Sequence, residues 1–401
     1  MKYIIVVGDG MADYPRPELE NKTPLQYANT PNMDLLASRG EVGLVKTVPE
    51  GFAPGSDVAN LSVMGYAPEK YYTGRSPLEA VSMGVDLTDV DVAFRCNLVT
   101  LSGEPDYARK QMVDYSAGEI SSEEARELIN VIESQLGTGD KHFYPGISYR
   151  HLMVWRGGPE KTALTPPHDI SGQIVGEYLP RGDGSSELLE IMQQSYAILR
   201  NHPVNVTRVE KGLRPANSVW LWGQGKRPAL PLFKDLYRLE GAVISAVDLI
   251  MGIGICAGMQ VIKVPGATGN IHTNFKGKAQ AALQALQDGA DYVYLHVEAP
   301  DEAGHQGDTD IKVRAIEEID RNVLGLIMDG LAEFADYKVM VLPDHPTPLS
   351  TRTHTAEPVP FVVSGKGSAH SSVQAYNEET ATASGLMIPD GPSLMRRFIN
   401  G

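Results

Sequence analysis

Three runs of the chain are apolar almost from end to end: KYIIVV (2–7), DYVYLHV (291–297) and KVMVLP (338–343). A strand with one solvated face alternates apolar and polar residues. An unbroken β-rich run has to be covered on both faces, as in a parallel sheet. The second and third runs each follow a helical pattern, KGKAQAALQALQDG (276–289) and IKVRAIEEIDRNVLGLIMDGLAEF (311–334). Strands alternating with helices predict an α/β core with a mostly parallel sheet. A further helix fits TPNMDLLASRG (30–40), with Thr30 as N-cap, Pro31 in the first turn and Gly40 at the end. The longest apolar stretch (242–264) carries Asp248 and Gln260 and reads as a buried helix from near Ser245 running into a strand at QVIKV, not as a bilayer span.

The middle of the chain has a different rhythm. VAFRCNLVTL (92–101), KQMVDYSA (110–117), KHFYPGISY (141–149) and HLMVWRG (151–157) read as short strands. SSEEARELINVIESQL (121–136) and SSELLEIMQQSYAILRNH (185–202) read as amphipathic helices, each opening with serine and acidic residues that satisfy free N–H groups. This pattern predicts a smaller α+β domain inserted at 85–205, with the core built from 1–84 and 206–401. Strand signals resume in the core at SVWLWG (218–223). At about 150 residues per domain, 401 residues accommodate two or three domains.

Composition narrows the class of partner. Lys and Arg number 35 against 50 Asp and Glu, a net charge of −15, and no basic run reaches five residues. Nucleic-acid and anionic-membrane surfaces both need a basic footprint, so neither partner is expected. Cys96 and Cys256 form no metal-binding pair and no disulfide framework, which favours a reducing, cytoplasmic setting. YIIVV is too short for the apolar region of a signal peptide.

The chemistry-bearing residues share one placement. Asp9 follows the first strand. Asp301 and His305 follow the strand at 291–297. Asp344 and His345 follow the strand at 338–343, with His354 just downstream. Ligand crevices in open α/β sheets form outside the carboxyl ends of strands. Carboxylates and imidazoles without thiolates suit Mn²⁺, Mg²⁺ or Zn²⁺. Asp301 and His305, four apart, can face one ion from a single helical turn. Together with Ser56 these residues are too many for one tetrahedral site and enough for two ions. Ser56 follows Pro54-Gly55 and opens a helical pattern, DVANLSVMGY, where free N–H groups and the helix dipole favour an anion. Its hydroxyl needs a base or a metal to become a nucleophile. His142, His202 and His370 lack this placement and read as surface residues. His296, inside a strand, reads as a core residue or a support behind the ligands.

GDGMADYP (8–15), PGSDVAN (54–60), PDEAGH (300–305), PDH (343–345) and THTAEPVPF (353–361) together resemble the alkaline phosphatase superfamily. YRHLMVW (149–155), PPHDISG (166–172) and RPANSVWLWGQGK (214–226) are similar to its cofactor-independent phosphoglycerate mutases of the archaeal-type branch. The resemblance covers nearly the whole chain in motif order. It implies an alkaline-phosphatase-like three-layer core with an inserted lid domain. It also implies one metal site from Asp301, His305 and His354, and a second from Asp9, Ser56, Asp344 and His345, with Ser56 carrying a phosphoserine intermediate. The implied ions are two divalent metals, Mn²⁺ first, with Mg²⁺, Zn²⁺ or Co²⁺ as alternatives, and no bisphosphoglycerate. The implied substrates are 3-phosphoglycerate and 2-phosphoglycerate.

Such a substrate is anionic, so cations are expected beside it: Arg95, Arg150 and His151 from the inserted lobe and Lys278 from NFKGKA (274–279). The same branch includes chains proposed to act as homoserine kinases, and TGNIHTNFKGKA (268–279) is compatible with that subgroup. A homoserine kinase-like phosphotransferase, a phosphomonoesterase and a metal-stabilised binding protein are therefore the competing expectations. No heptad or extended edge signal indicates an oligomer.

Overall fold

The computed structural model describes residues 1–368 and 371–401; His370 lies outside them. In chain order the strands are β1 (Lys2–Gly8), β2 (Gly40–Val45), β3 (Asp91–Leu101), β4 (Met112–Asp114), β5 (Lys141–Ile147), β6 (Arg150–Arg156), β7 (Ser218–Gly225), β8 (Gly241–Ile244), β9 (Gln260–Ile262), β10 (Tyr292–Val297), β11 (Tyr337–Leu342), β12 (Val359–Gly365) and β13 (Met387–Ile388). Two units divide them. One consists of Met1–Tyr72 with Ala229–Gly401, the other of Thr73–Pro228.

The larger unit holds an eight-stranded sheet in the order β13-β2-β12-β11-β1-β10-β8-β9. Only β12 runs against its neighbours. The three apolar runs read from the sequence are its centre, β11-β1-β10, and both faces are covered. On one face Ile4, Val6, Val293, Leu295, Val339 and Val341 share a cluster with Ala279, Ala282, Ile316 and Val323. On the other, Tyr3 meets Phe398 edge to face at 5.5 Å, and a side chain on Gly254 of the Asp248–Cys256 helix would strike Val243. Helix, sheet and helix make three layers. The parallel register ends β1 and β10 together at Gly8↔Val297, with β11 alongside at Val7↔Leu342. The loops carrying Asp9, Asp301 and Asp344 therefore leave the sheet at one edge.

Several elements differ from the sequence reading, each for a local reason. The stretch read as one helix over 311–334 is helical from Thr309 to Leu331, but its turn at Ile319–Leu324 widens to i→i+5 bonding. Asp320, in that wide turn, accepts from the backbone N–H groups of Asn32 and Met33. It satisfies the start of the Pro31–Ser38 helix, so Thr30, though at the N-cap position, makes no side-chain cap bond. The Ser185–Leu199 helix is entered through Gly184 in a left-handed conformation, again without a side-chain cap. Ser121 does cap the Ser122–Leu136 helix, accepting from Glu124 N.

The smaller unit is an antiparallel sheet in which β3, buried along its whole length, pairs with β6 and β7 and, at its end, with β4. Its boundaries are Thr73 and Pro228, where 85 and 206 were expected. SVWLWG has a strand's composition, but composition does not say which sheet a strand joins. Its register with β3, Asn97↔Trp220, places it here. The strand expected at 110–117 is only Met112–Asp114, because the Asp114 carboxylate turns the chain by accepting from Ser116 N and Gly118 N. Among the described residues, no helix is long and apolar enough to cross a membrane.

A buried ion pair fixes the loops at the strand ends. Lys312, fully buried, donates to Asp13 Oδ2 at 2.7 Å and to the Thr347 carbonyl at 2.8 Å. Asp13 also accepts from Leu349 N at 3.0 Å. One pair thus joins the loop after β1 to the loop after β11. Removing one partner of a buried pair strands the other charge. Lys312→Ala is expected to lower the unfolding free energy by about 3–5 kcal/mol in urea denaturation; a loss under about 1 kcal/mol would show that the staple carries little.

Candidate active site

The two glycines flanking Asp9 make a turn that only glycine permits at its second position. Gly10 has φ +62°, and a Cβ there would lie 2.5 Å from Thr347 Oγ1 and 2.7 Å from Asp301 Oδ1. The bare backbone instead reaches Asp344, donating from Gly10 N to Oδ1 at 3.2 Å. The DEAGH segment forms a short helix, Ala299–Gln306, with Asp301 and His305 on one face. A Cβ on Gly304 would come within 2.5 Å of the Thr347 carbonyl, so that glycine lets the helix seat against the loop after β11.

All seven expected ligands converge. Asp301 Oδ2 lies 3.3 Å from His305 Nε2, Asp301 Oδ1 lies 3.4 Å from His354 Nε2, and the two imidazole Nε2 atoms are 2.9 Å apart. His345 Nε2 lies 3.1 Å from Ser56 Oγ, 3.4 Å from Asp344 Oδ2 and 3.6 Å from Asp9 Oδ1. The rings of His345 and His354 are 4.1 Å apart, which joins the two groups. Ser56 is the first residue of the Ser56–Val63 helix, entered through extended Gly55, so its hydroxyl stands where backbone N–H groups are free.

The electrostatics call for a cation. Burial, with the charges of Asp344 and Asp301, pushes the Asp9 carboxyl well above its usual range. Asp9 Oδ1 is buried with no hydrogen-bond partner among the described residues. Burial alone would raise Asp301, but hydrogen bonds from His305 and His354 hold it well below the usual range. Burial alone would lower His305, but Asp301 outweighs it and raises the imidazole to about 9. Three sets of donor atoms lie within 4.8 Å of one another: Asp301, His305, His354; Asp9, His296, Asp344; and Asp9, Asp301, His345. Buried carboxylates and imidazoles crowded in this way fit divalent metal.

Behind the ligands stand supports, of which the sequence reading offered His296 as one of two alternatives. His296 sits between Ser245 Oγ, 3.2 Å from its Nδ1, and Asp9 Oδ2, 3.0 Å from its Nε2. With Asp9 ionised, Nε2–H donates to it and Nδ1 accepts from the serine, which leaves Asp9 Oδ1 for an ion. His305 Nδ1 lies 3.0 Å from the Arg352 carbonyl, an acceptor only, so Nδ1 keeps its hydrogen and Nε2 is the nitrogen that can offer a lone pair once its proton is displaced. Thr347 Oγ1 bonds Asp301 Oδ1 and lies 3.3 Å from His345 Nδ1, so it touches both ligand groups. The only sequence signal for Thr347 is its place two residues after His345.

The expected substrate residues are placed differently. Lys278 is fully buried, burial lowers its ammonium to about 8, and it donates to the His296 carbonyl at 2.9 Å. In the smaller unit, Arg95 is buried over the Trp222 ring at 4.7 Å and paired with Glu79 at 3.1 Å. Arg75, which the sequence reading passed over, shares that carboxylate at 2.9 Å, so two guanidinium groups face one acid. Arg150 is exposed beside Tyr149. His151 is not a cation: burial lowers it to about 3, its Nδ1 accepts from Gly146 N, and its Nε2 is buried with no partner among the described residues. His142 is exposed beside Glu133, and His202 accepts from Val204 N at a helix start.

A family model described as 2,3-bisphosphoglycerate-independent phosphoglycerate mutase matches residues 37–205. A probable 2,3-bisphosphoglycerate-independent phosphoglycerate mutase of Geobacter sulfurreducens is 56% identical over 401 residues, covering 100% of both chains. The corresponding protein of Methanothrix thermoacetophila is 50% identical, also covering 100% of both. Among solved structures, a Pyrococcus horikoshii protein superposes with TM-score 0.83 at 30% identity, covering 100% of this chain and 97% of that one. A cofactor-independent phosphoglycerate mutase of Thermoplasma acidophilum does so with TM-score 0.66 at 27% identity, covering 100% and 99%.

Metal has to displace the proton that His305 holds up to about pH 9. Titrating Mn²⁺ into metal-free protein at about pH 7.5, in buffers of different ionisation enthalpy, is expected to release about one proton per ion at this site, with affinity rising toward pH 9. Zero release would show that His305 is not a ligand.

Proposed function

The chain belongs to the 2,3-bisphosphoglycerate-independent phosphoglycerate mutases, and from that membership we propose that it interconverts 3-phosphoglycerate and 2-phosphoglycerate through a phosphate carried on Ser56, without bisphosphoglycerate. The observation that carries this reading is the position of the Ser56 hydroxyl, at a helix start and 3.1 Å from His345 Nε2, beside buried Asp9 and Asp344.

Asp301, His305 and His354 would hold one divalent ion, and Asp9, Asp344, His345 and Ser56 a second; Mn²⁺ is the ion we favour, over Mg²⁺, Zn²⁺ or Co²⁺. When bound, the ions supply Lewis-acid charge that lowers the Ser56 pKa and neutralises the phosphoryl oxygens. Ser56 Oγ bonds to phosphorus as the bond to the 3-oxygen of glycerate breaks, and the serine proton ends on that oxygen. The glycerate stays bound and reorients. Its 2-oxygen then takes the phosphoryl group and gives up a proton, which returns to Ser56. No water is consumed, so water must be kept out while the phosphoserine exists. We assign that exclusion to the inserted unit acting as a lid. For the anionic substrate we propose Arg95 and Arg150 as cationic contacts. His151 is better cast as a neutral donor through its unpartnered Nε2–H. Lys278, committed to the His296 carbonyl, is retained only as a support behind Asp9.

Purified protein with Mn²⁺ and 3-phosphoglycerate, free of bisphosphoglycerate, is expected to yield 2-phosphoglycerate. Chelation should abolish the activity, and Ser56→Ala should lower kcat by about 10⁴-fold or more while the fold persists. Inorganic phosphate in place of the isomer would identify a phosphomonoesterase, and ATP-dependent consumption of homoserine a kinase. Full metal-dependent activity in Ser56→Ala would overturn the phosphoserine route.

A further inference from the structure

Asn60, one helical turn beyond Ser56, is fully buried and has every polar hydrogen and acceptor engaged. Its Nδ2 donates to the Ser56 carbonyl at 2.8 Å and to Asp344 Oδ2 at 2.6 Å. Its Oδ1 accepts from the Tyr294 hydroxyl at 2.6 Å. Tyr294 lies on β10 and is itself fully buried. We propose that Asn60 is a positioning residue that couples the nucleophile's helix to the Asp344 carboxylate, and that Tyr294 acts through Asn60 by fixing which end of the amide faces the metal side. The proposal rests on the two-ion phosphoserine reading above.

The orientation of the amide follows by elimination. Turned over, Oδ1 would face the Ser56 carbonyl and the Asp344 carboxylate, three acceptors with no hydrogen among them. The phenol has one hydrogen to give, and Oδ1 is where it goes, so the NH₂ end is left for Ser56 and Asp344. In a buried site each of these bonds is strengthened by low local dielectric, and a missing one is correspondingly costly.

The consequence for Asp344 is a division between its oxygens. Oδ1 accepts from Gly10 N and from its own neighbour's amide, His345 N, at 2.9 Å. Oδ2 accepts from Asn60 and faces His345 Nε2 at 3.4 Å. A carboxylate oxygen accepts more than one bond, so Asn60 sets the plane of the carboxylate while leaving Oδ2 a lone pair toward the ion. Because the same NH₂ group grips the Ser56 carbonyl, a shift in either the helix or the carboxylate moves the other.

Asn60→Ala is expected to weaken Mn²⁺ binding to the second site about 10–100-fold, read by calorimetry or by the spin-resonance signal of bound Mn²⁺, while leaving the Asp301–His305–His354 site unchanged. At saturating Mn²⁺, kcat should fall with KM for 3-phosphoglycerate unchanged, since the buried Asn60 amide is committed to Ser56, Asp344 and Tyr294. Tyr294→Phe, which removes a single oxygen, should weaken the same site by a smaller factor. Added to Asn60→Ala, it should cause no further loss of affinity. Parental Mn²⁺ affinity in Asn60→Ala overturns the coupling, and additive losses in the double variant overturn the relay. If Asn60→Ala does not fold, as judged by its thermal transition, Tyr294→Phe alone decides: unchanged second-site affinity refutes the proposal. A protein that binds two Mn²⁺ with these dependences but does not isomerise 3-phosphoglycerate would overturn the mutase reading and leave this one standing.

Discussion

Repulsion among Asp9, Asp301 and Asp344 is the constraint to which the rest of the larger unit answers. The three carboxylates are buried together at one edge of a parallel sheet, and burial with the charges of Asp344 and Asp301 disfavours ionisation of Asp9. Left to itself Asp9 takes up a proton and neutralises. Such a cluster is worth keeping only if a cation of higher charge balances it. The sheet register places the acids side by side, and the surrounding groups then determine which of their oxygens face the ion.

Those surrounding groups are almost all neutral or already committed. His296 is lowered to about 4, first of all by burial, and so stands behind Asp9 as an uncharged donor. Asp344 is held by two backbone amides and the Asn60 side chain, and Asp301 by the Thr347 hydroxyl. Of the two lysines buried in this unit near the site, Lys278 is directed at a backbone carbonyl, and Lys312 is neutralised by Asp13. A free ammonium at hydrogen-bond range of Asp9 or Asp344 would satisfy the carboxylates directly and compete with a metal for them.

The strands and the ligands were legible for the same reason. Buried parallel strands have no polar alternation, and acids or histidines directly after them are placed by the chain's direction alone, so Asp9, Asp301 and Asp344 could be read without knowing the packing. What could not be read depends on a second segment far away in sequence. Asp320 accepts from Asn32 N, 288 residues earlier in the first turn of the Pro31–Ser38 helix, and no local pattern reveals that. SVWLWG was recognisable as a strand, but its pairing with β3 was not. His151 was read as a cation from its residue type, whereas burial keeps it neutral. Asn60 lay in plain view within PGSDVAN, but its role depends on the Tyr294 hydroxyl 234 residues away.

The same contrast explains why the glycines around the site are informative while the charged residues of the smaller unit are less so. Gly10 and Gly304 are required by close approach to a backbone or side chain whose position the sheet has already set, so their place in GDG and DEAGH is a geometric consequence of the ligand cluster. Arg75 and Arg95 share Glu79, so one carboxylate stands between two guanidinium groups. Two guanidinium groups held on one carboxylate lose their side-chain freedom in the fold itself. A buried arginine that would otherwise be an expense in the unit's core is in this way given a partner, and that acid is legible in the sequence only as the i,i+4 spacing from Arg75 to Glu79.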